Sequence, residues 1–330
     1  MDKIRTAVVG VGALGRHHLR WLSRLPNSQL VGLLDIDGEK AQRLAGEYGI
    51  PAFSSLEEVA GAADAVSVVV PTTAHFEVAS FLMERGKHCL IEKPVAPSLD
   101  QSRKLSTLAA EKHVKVTVGQ IERFNPAVRA LANLDVRPSF IEAHRLAAFD
   151  PRGTDVAVVL DLMIHDIDLV LKFVDSEIKD IQSSAVAVVS DQVDIANARL
   201  TFENGAVANL TASRISLGAM RKLRIFQKSG YYSLDLGKKQ ADLYRLAAEG
   251  DTGGLRVPLG KSGQDLLYTK IADDGQDMLG LELDTFLQAV LTDDDVAVTV
   301  DEAAEALRVA LEVERIGVSS IARMMEAQPT

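Results

Sequence analysis

Residues 6–15, TAVVGVGALG, constrain this chain more than any other stretch. The short apolar run 7–9 breaks into Gly10, Gly12 and Gly15 at GxGxxG spacing, and a segment of helical composition, LGRHHLRWLSRL, follows. The spacing predicts a strand, a tight turn and a helix. One glycine serves a turn of unusual φ, one lets backbone approach a pyrophosphate, and one allows close helix–strand packing. The helix N-terminus offers unpaired N–H groups and the positive end of its dipole to the phosphates, with Gly10, Gly12, Ala13, Leu14 and Gly15 around them. A second apolar run, 29–34, ends in Asp35, the acidic residue that such a turn requires about twenty residues further on. Asp35 can accept hydrogen bonds from both ribose hydroxyls and repel a 2′-phosphate, and Ile36 brings no compensating positive charge. The expected cofactor is NAD in preference to NADP.

The remaining composition narrows the class. A chain of 330 residues is long enough for two domains, and 47% hydrophobic with 25% charged residues is ordinary for a globular protein. The net charge of −10 argues against nucleic acid or an acidic membrane surface as a general partner. A single cysteine, Cys89, excludes an intrachain disulfide and a cysteine-rich zinc site, and lies in an apolar run as inert core. The glycine motif arrives within ten residues, leaving no room for a signal peptide, and no apolar run nears the roughly 20 residues of a membrane span. The expected location is the cytoplasm.

Strand-like and helix-like segments alternate onward to residue 119. Residues 38–48 read as a helix closed by Gly49, Ser55 with Glu58 resembles a capping box, and 65–70 (AVSVVV) suit a strand buried on both faces. A helix over 74–85 ends at Gly86, residues 88–91 form a strand running into Glu92-Lys93-Pro94, and Ser98 or Asp100 caps a helix to about Lys112. This alternation means a doubly wound parallel sheet with ligand groups at the carboxyl ends of its strands, where Pro71, Thr72, His75 and Glu92–Pro94 lie.

A second constellation lies in VVLDLMIHDIDLVLKFV. At about 100° per residue Asp161, His165 and Asp168 share one narrow arc of a helix. Since Lys172 and Asp175 continue that stripe, it is either a water-facing side or a set of converging functional groups. Carboxylate and imidazole can also ligate metal, but no strong zinc spacing such as HExxH is present, and no metal is expected.

Taken together, the GxGxxG turn, a strand ending in PTxxH, a strand ending in EKP and a later DxxxHxxD segment resemble the Gfo/Idh/MocA family of sugar oxidoreductases. The resemblance implies a Rossmann domain over residues 1–122. Over 123–330 it implies an α+β domain with a large, mostly antiparallel open sheet that carries the substrate site and a homodimer or homotetramer interface. It places Lys93 beside the nicotinamide and the substrate hydroxyl, with Lys93-Pro94 as a cis peptide, and matches Asp161 and His165 to the family's catalytic pair. Met163 stands where the family commonly has glycine. Oxidising a secondary alcohol needs a base within reach of its hydroxyl, and lysine and histidine both qualify. Lysine must first be depressed by burial or by neighbouring positive charge, such as the oxidised nicotinamide.

In the second domain, Arg123 and Asn125 of QIERFNP are either site contacts or a domain-boundary signal, and His144 and Arg145 project to opposite faces of a strand. Glu203-Asn204-Gly205 marks a hairpin, 251–263 a glycine-rich loop, and 301–316 an amphipathic helix with a frayed tail from Met324. Arg214, Arg221, Lys222, Arg224 and Lys228 form a local basic cluster, either a charged sheet surface or an anion clamp for a phosphorylated or nucleotide-linked sugar. This segment, with RFNP and MIHDID, is similar to bacterial nucleotide-sugar dehydrogenases, implying a substrate such as UDP-N-acetylglucosamine oxidised to its 3-keto form. The substrate contacts so implied are Lys93, Arg123, Asn125, Arg145, Asp161, His165 and Arg214. Competing readings are a non-catalytic dinucleotide-binding regulator and a reductase of a non-sugar carbonyl.

Overall fold

A computed structural model describes residues 3–149, 156–248, 254–259 and 264–327, with side chains in the last helix through Ser319. The chain forms two compact units, residues 1–124 with 276–307, and residues 125–275 with 308–330.

The first unit opens with β1 (Ile4–Val9), α1 (Ala13–Leu22), β2 (Ser28–Leu34), α2 (Gly38–Tyr48), α3 (Leu56–Ala62) and β3 (Ala65–Val68). It continues through α4 (Thr72–Glu84), β4 (His88–Glu92), α5 (Leu99–Lys112) and β5 (Val116–Gly119) to a 3₁₀ turn at Ile121–Phe124. The five strands pair in parallel in the order β2-β1-β3-β4-β5. The order reverses between β1 and β3, which opens the crevice where doubly wound sheets bind ligands. Local signals act as expected. Ser55 and Ser98 accept the N–H of Glu58 and Gln101, and Gly49 ends α2 in the left-handed region. Glu58 completes its cap on the N–H of Ser54 rather than of Ser55. Cys89 is fully buried, and burial pushes its thiol up to about 12, too high for thiolate chemistry.

The second unit contains α6 (Pro126–Arg129), β6 (Phe140–Leu146), a π turn at Val159–Met163, α7 (Ile164–Val174), β7 (Ile178–Val186), β8 (Ile195–Phe202) and β9 (Val207–Ser213). Then come β10 (Met220–Gln227), β11 (Gly230–Asp235), β12 (Gln240–Leu246), β13 (Leu255–Pro258) and β14 (Asp265–Ile271). These make one nine-stranded sheet ordered β13-β14-β12-β11-β10-β6-β9-β8-β7, in which the β6–β9 pair is parallel and the other neighbours antiparallel. Gly205 turns the β8–β9 hairpin at φ +87°. Ile141, Ala143, Leu210, Leu223 and Ile225 are buried on one side of the sheet. Phe140, Phe226, Tyr231, Tyr244 and Tyr268 form a ladder of ring contacts across neighbouring strands.

The first unit is discontinuous: α8 (Met278–Thr292) and the start of α9 (Val300–Ala327) belong to it. Leu279, Leu283, Phe286 and Leu287 of α8 complete the apolar cluster of Val8, Leu19, Leu22 and Leu33, and which core an apolar helix joins is not encoded in its own periodicity. Residues 255–258 of the expected glycine-rich loop form an edge strand, while 251–253 and 260–263 lie outside the described residues. The last helix runs on to Ala327 rather than fraying from Met324. Among the described residues no helix is long and apolar enough to cross a membrane.

Candidate active site

At the end of β1 the backbone of Gly10 has φ +89°, and a Cβ there would lie 2.5 Å from the Val69 carbonyl oxygen. A Cβ on Gly15 would run into the carbonyl of Gly10, so α1 packs directly on the turn. A Cβ on Gly12 would meet nothing within 4 Å, which leaves room for a pyrophosphate against bare backbone. Helix α1 has no side-chain cap and no acidic residue in its first turn, so its positive end remains available to an anion. The cradle fits a dinucleotide. Leu14 and Ile36 expose their side chains.

Asp35 is held by three donors. Its Oδ2 accepts the Val11 N–H at 2.7 Å, and its Oδ1 accepts the Asp37 N–H at 2.9 Å and the Lys40 ammonium at 3.1 Å. Burial alone would raise its pKa, but these bonds hold it below the ordinary carboxylate value. Lys40 supplies the local positive charge that Ile36 lacks, so the carboxylate's repulsion of a 2′-phosphate is partly offset.

The β4 strand delivers Glu92, Lys93 and Pro94 with a cis Lys93-Pro94 bond, as the resemblance implies. Lys93 is half-buried. Glu92 is buried, accepting from His18 Nε2–H at 3.1 Å on Oε1 and from the Lys93 N–H at 3.2 Å on Oε2. His75, expected at the cofactor, is 1% exposed, with Nδ1 2.8 Å from the Pro94 oxygen and Nε2 2.9 Å from the Val70 oxygen. Both ring nitrogens thus face backbone, making His75 a brace between the end of the PTxxH strand and the EKP turn. Burial pushes its pKa below the ordinary histidine value. Pro71 precedes α4 as its N-cap residue and half-buried Thr72 begins the helix.

In the second unit, Asp161 lies in the π turn and His165 in the first turn of α7, both half-buried. A π turn has more residues per turn than an α-helix, so the uniform 100° wheel does not hold across this segment. Asp168, three residues beyond His165 on the same side of α7, is 1% exposed, whereas Lys172 and Asp175 face solvent. His144 and Arg145 do project to opposite faces of β6. Arg145, expected at the substrate, forms a buried bidentate pair with Asp166, Nε to Oδ2 at 3.0 Å and Nη2 to Oδ1 at 2.7 Å.

Other expected contacts are engaged by the protein itself. Arg123 pairs with Glu302 at 2.8 Å and donates to the Ala297 carbonyl. Asn125 caps α6 through the Ala127 N–H and donates to the Leu236 carbonyl, in keeping with a boundary signal. Arg214 is buried, donating to the Val156 carbonyl with its Nε 3.8 Å from Asp194. The basic cluster does not form one clamp. Strand alternation puts Lys222 and Arg224 opposite His144 and Glu142, with Arg224 paired to Glu142, while Arg214 is buried elsewhere.

Three residues escaped the sequence reading. His18 occupies the inward stripe Gly15-His18-Leu19-Leu22 of α1, and Asp166 is buried among the apolar residues of α7. A polar residue on a buried stripe signals a partner but does not identify it. Lys40, five residues beyond Asp35 in the first turn of α2, was legible as a charge near the ribose position.

Residues 4–120 match the family model described as "Oxidoreductase family, NAD-binding Rossmann fold", and residues 137–233 match the GFO/IDH/MocA C-terminal domain. The UDP-N-acetylglucosamine 3-dehydrogenase of Acidithiobacillus ferrooxidans is 38% identical over 291 residues, 88% of this chain and 90% of its own. Its crystal structure, GnnA, superposes with a TM-score of 0.86 at 35% identity, covering 96% of this chain and 98% of that one. The scyllo-inositol 2-dehydrogenase (NAD(+)) of Bacillus subtilis is 28% identical over 235 residues, 65% of this chain and 68% of its own. A scyllo-inositol dehydrogenase from Lactobacillus casei, solved with NAD(H) and scyllo-inositol, shares the fold at TM-score 0.78 and 18% identity, covering 97% of this chain and 98% of that one.

Proposed function

Since this chain belongs to the Gfo/Idh/MocA family of NAD-binding oxidoreductases, we propose that it oxidises a secondary hydroxyl of a nucleotide-linked sugar, with UDP-N-acetylglucosamine, oxidised to its 3-keto form, as the leading substrate. NAD, when bound, supplies the hydride acceptor. Gly10–Gly15 and the positive end of α1 hold its pyrophosphate, and Asp35 receives the ribose hydroxyls. Lys93 or His165 accepts the hydroxyl proton as hydride leaves carbon, and Asp161 orients its partner. The carboxylate of Asp35 favours NAD over NADP, a preference that Lys40 moderates.

The observation that carries this reading is the EKP turn: a half-buried lysine at the carboxyl end of a parallel strand, its N–H held by Glu92 and the carbonyl of the following Pro94 by His75, in the same unit as a dinucleotide cradle. The 38% identity to a UDP-N-acetylglucosamine 3-dehydrogenase supports the choice of sugar. We place the enzyme in the cytoplasm, as a homo-oligomer formed through the nine-stranded sheet. The test is NAD reduction by the purified protein with a panel of UDP-sugars, followed by nicotinamide absorbance. Turnover is expected with UDP-N-acetylglucosamine, and Lys93→Met is expected to lower kcat by about 10²–10⁴-fold with NAD binding retained. Absence of turnover with every nucleotide-linked or phosphorylated sugar would refute the reading and favour a dinucleotide-binding regulator.

A further inference from the structure

We propose that His18 is a positioning residue for Lys93, acting through the Glu92 carboxylate from the helix that begins at the glycine turn. The proposal rests on Lys93 handling the proton of the reaction.

His18 is fully buried on the inward stripe of α1, between Gly15 and Leu22. Its Nε2 meets Glu92 Oε1, and its Nδ1 has no hydrogen-bond partner. As a mere core filler this is a poor choice, because a leucine would occupy the stripe without a bare ring nitrogen. Donation to Glu92 accounts for the histidine. The neutral ring with its proton on Nε2 fits, since Nδ1 is then a bare acceptor rather than a stranded N–H.

The two Glu92 oxygens have separate tasks, Oε1 toward His18 and Oε2 toward the Lys93 N–H at 3.2 Å. The third wall is Gly119, where a Cβ would lie 3.0–3.1 Å from the carboxylate atoms. The carboxylate lies against the bare Gly119 backbone, and a side chain there would force it to shift by a few tenths of an ångström. Fixing the Lys93 N–H fixes the peptide plane from which the Lys93 side chain departs, and a displacement of about 1 Å at a reacting group can cost about a hundredfold in rate. Helix α1 thus carries two connected tasks: its N-terminus faces the pyrophosphate, and one turn later it orients the turn that bears the lysine.

The experiment uses the full chain labelled with [¹⁵N]lysine, in which the Lys93 amide is identified by its absence in Lys93→Met. His18→Leu is expected to shift that amide and speed its hydrogen exchange, and His18→Gln, which keeps an N–H donor, to restore most of both. With NAD and UDP-N-acetylglucosamine, His18→Leu is expected to lower kcat by about 10–100-fold. It is also expected to displace the limb of the pH–kcat profile that Lys93→Met abolishes, with NAD affinity within about threefold of the parent, since the pyrophosphate cradle itself is untouched.

An unmoved Lys93 amide, a lower melting temperature with unchanged kcat and pH profile, or a His18→Gln variant no better than His18→Leu overturns the proposal. Should His18→Leu fail to fold, His18→Phe, which keeps a ring on the stripe but removes the N–H donor, decides: a shifted Lys93 amide supports the proposal and an unchanged one refutes it. A fully active Lys93→Met variant would instead sink the functional reading. An inactive Lys93→Met beside a fully active His18→Leu defeats this inference alone.

Discussion

Replacing Asp35 with asparagine should shift the cofactor preference toward NADP, by an amount that Coulomb's law bounds. The Asp35 carboxylate is held by the N–H groups of Val11 and Asp37 and by Lys40, with its side chain 7% exposed. Two unit charges about 5 Å apart at an effective dielectric constant of about 20 repel by about 3 kcal/mol, an upper bound for a 2′-phosphate here because Lys40 offsets part of the carboxylate's charge. At about 1.4 kcal/mol per factor of ten, that is a discrimination of at most about a hundredfold. Asp35→Asn removes the charge and releases Lys40 toward the phosphate. The ratio of kcat/KM for NAD to that for NADP should fall by up to about 10²-fold, through weaker NAD use and improved NADP use together. Adding Lys40→Ala should return part of that change by removing the new phosphate partner. Initial rates with both cofactors at saturating sugar provide the measurement. A ratio within threefold of the parent in Asp35→Asn, with the protein folded, would show that the carboxylate does not select the cofactor.

Two further predictions concern the second unit. Burial alone would raise the Asp194 pKa, but the Ser190 hydroxyl and the N–H groups of residues 188–190 hold it down at about 2, against an ordinary value of 3.8. A depressed carboxylate stabilises the fold above its unfolded pKa, and that contribution is lost as pH falls from about 4 through about 2. Asp194→Asn should cost about 2 kcal/mol at pH 7 and flatten the acid limb of the stability curve measured by denaturant unfolding. Arg145→Met should leave Asp166 a buried charge without its bidentate partner and destabilise by about 3–5 kcal/mol, most of it recovered by adding Asp166→Leu. If the single variant is as stable as the parent and only KM for the sugar rises, Arg145 is a substrate contact after all.

Much of the cofactor half was legible because its signals are local. The steric demands at Gly10 and Gly15, the acidic residue closing β2, the serine caps of α3 and α5 and the all-buried strand β3 each depend on residues close in sequence, so spacing alone exposes them. The EKP turn was visible as a motif at a strand end. The supports of that turn were not, because His18 precedes Glu92 by 74 residues and meets it only when α1 packs on the sheet.

The second half was read less well for the same reason. Alternation correctly put His144 and Arg145 on opposite faces, but it could not show that Asp166 waits on one of them, 21 residues away. The π turn shifted Asp161 relative to the helix that carries His165, and no wheel drawn at a fixed angle anticipates an inserted residue. For Arg123 and Asn125 the sequence left site contact and domain boundary open, because their partners Glu302 and Leu236 lie more than a hundred residues away. The sequence by itself determined most of the elements, the parallel first sheet and the dinucleotide turn, which follow from short-range sterics and periodicity, whereas the candidate reactive residues Lys93, Asp161 and His165 rested on the family resemblance. The tertiary structure decided which polar groups brace their neighbours, as His75 and His18 do, and to which core α8 belongs. Those outcomes depend on burial and on partners that only chain folding brings within hydrogen-bonding distance.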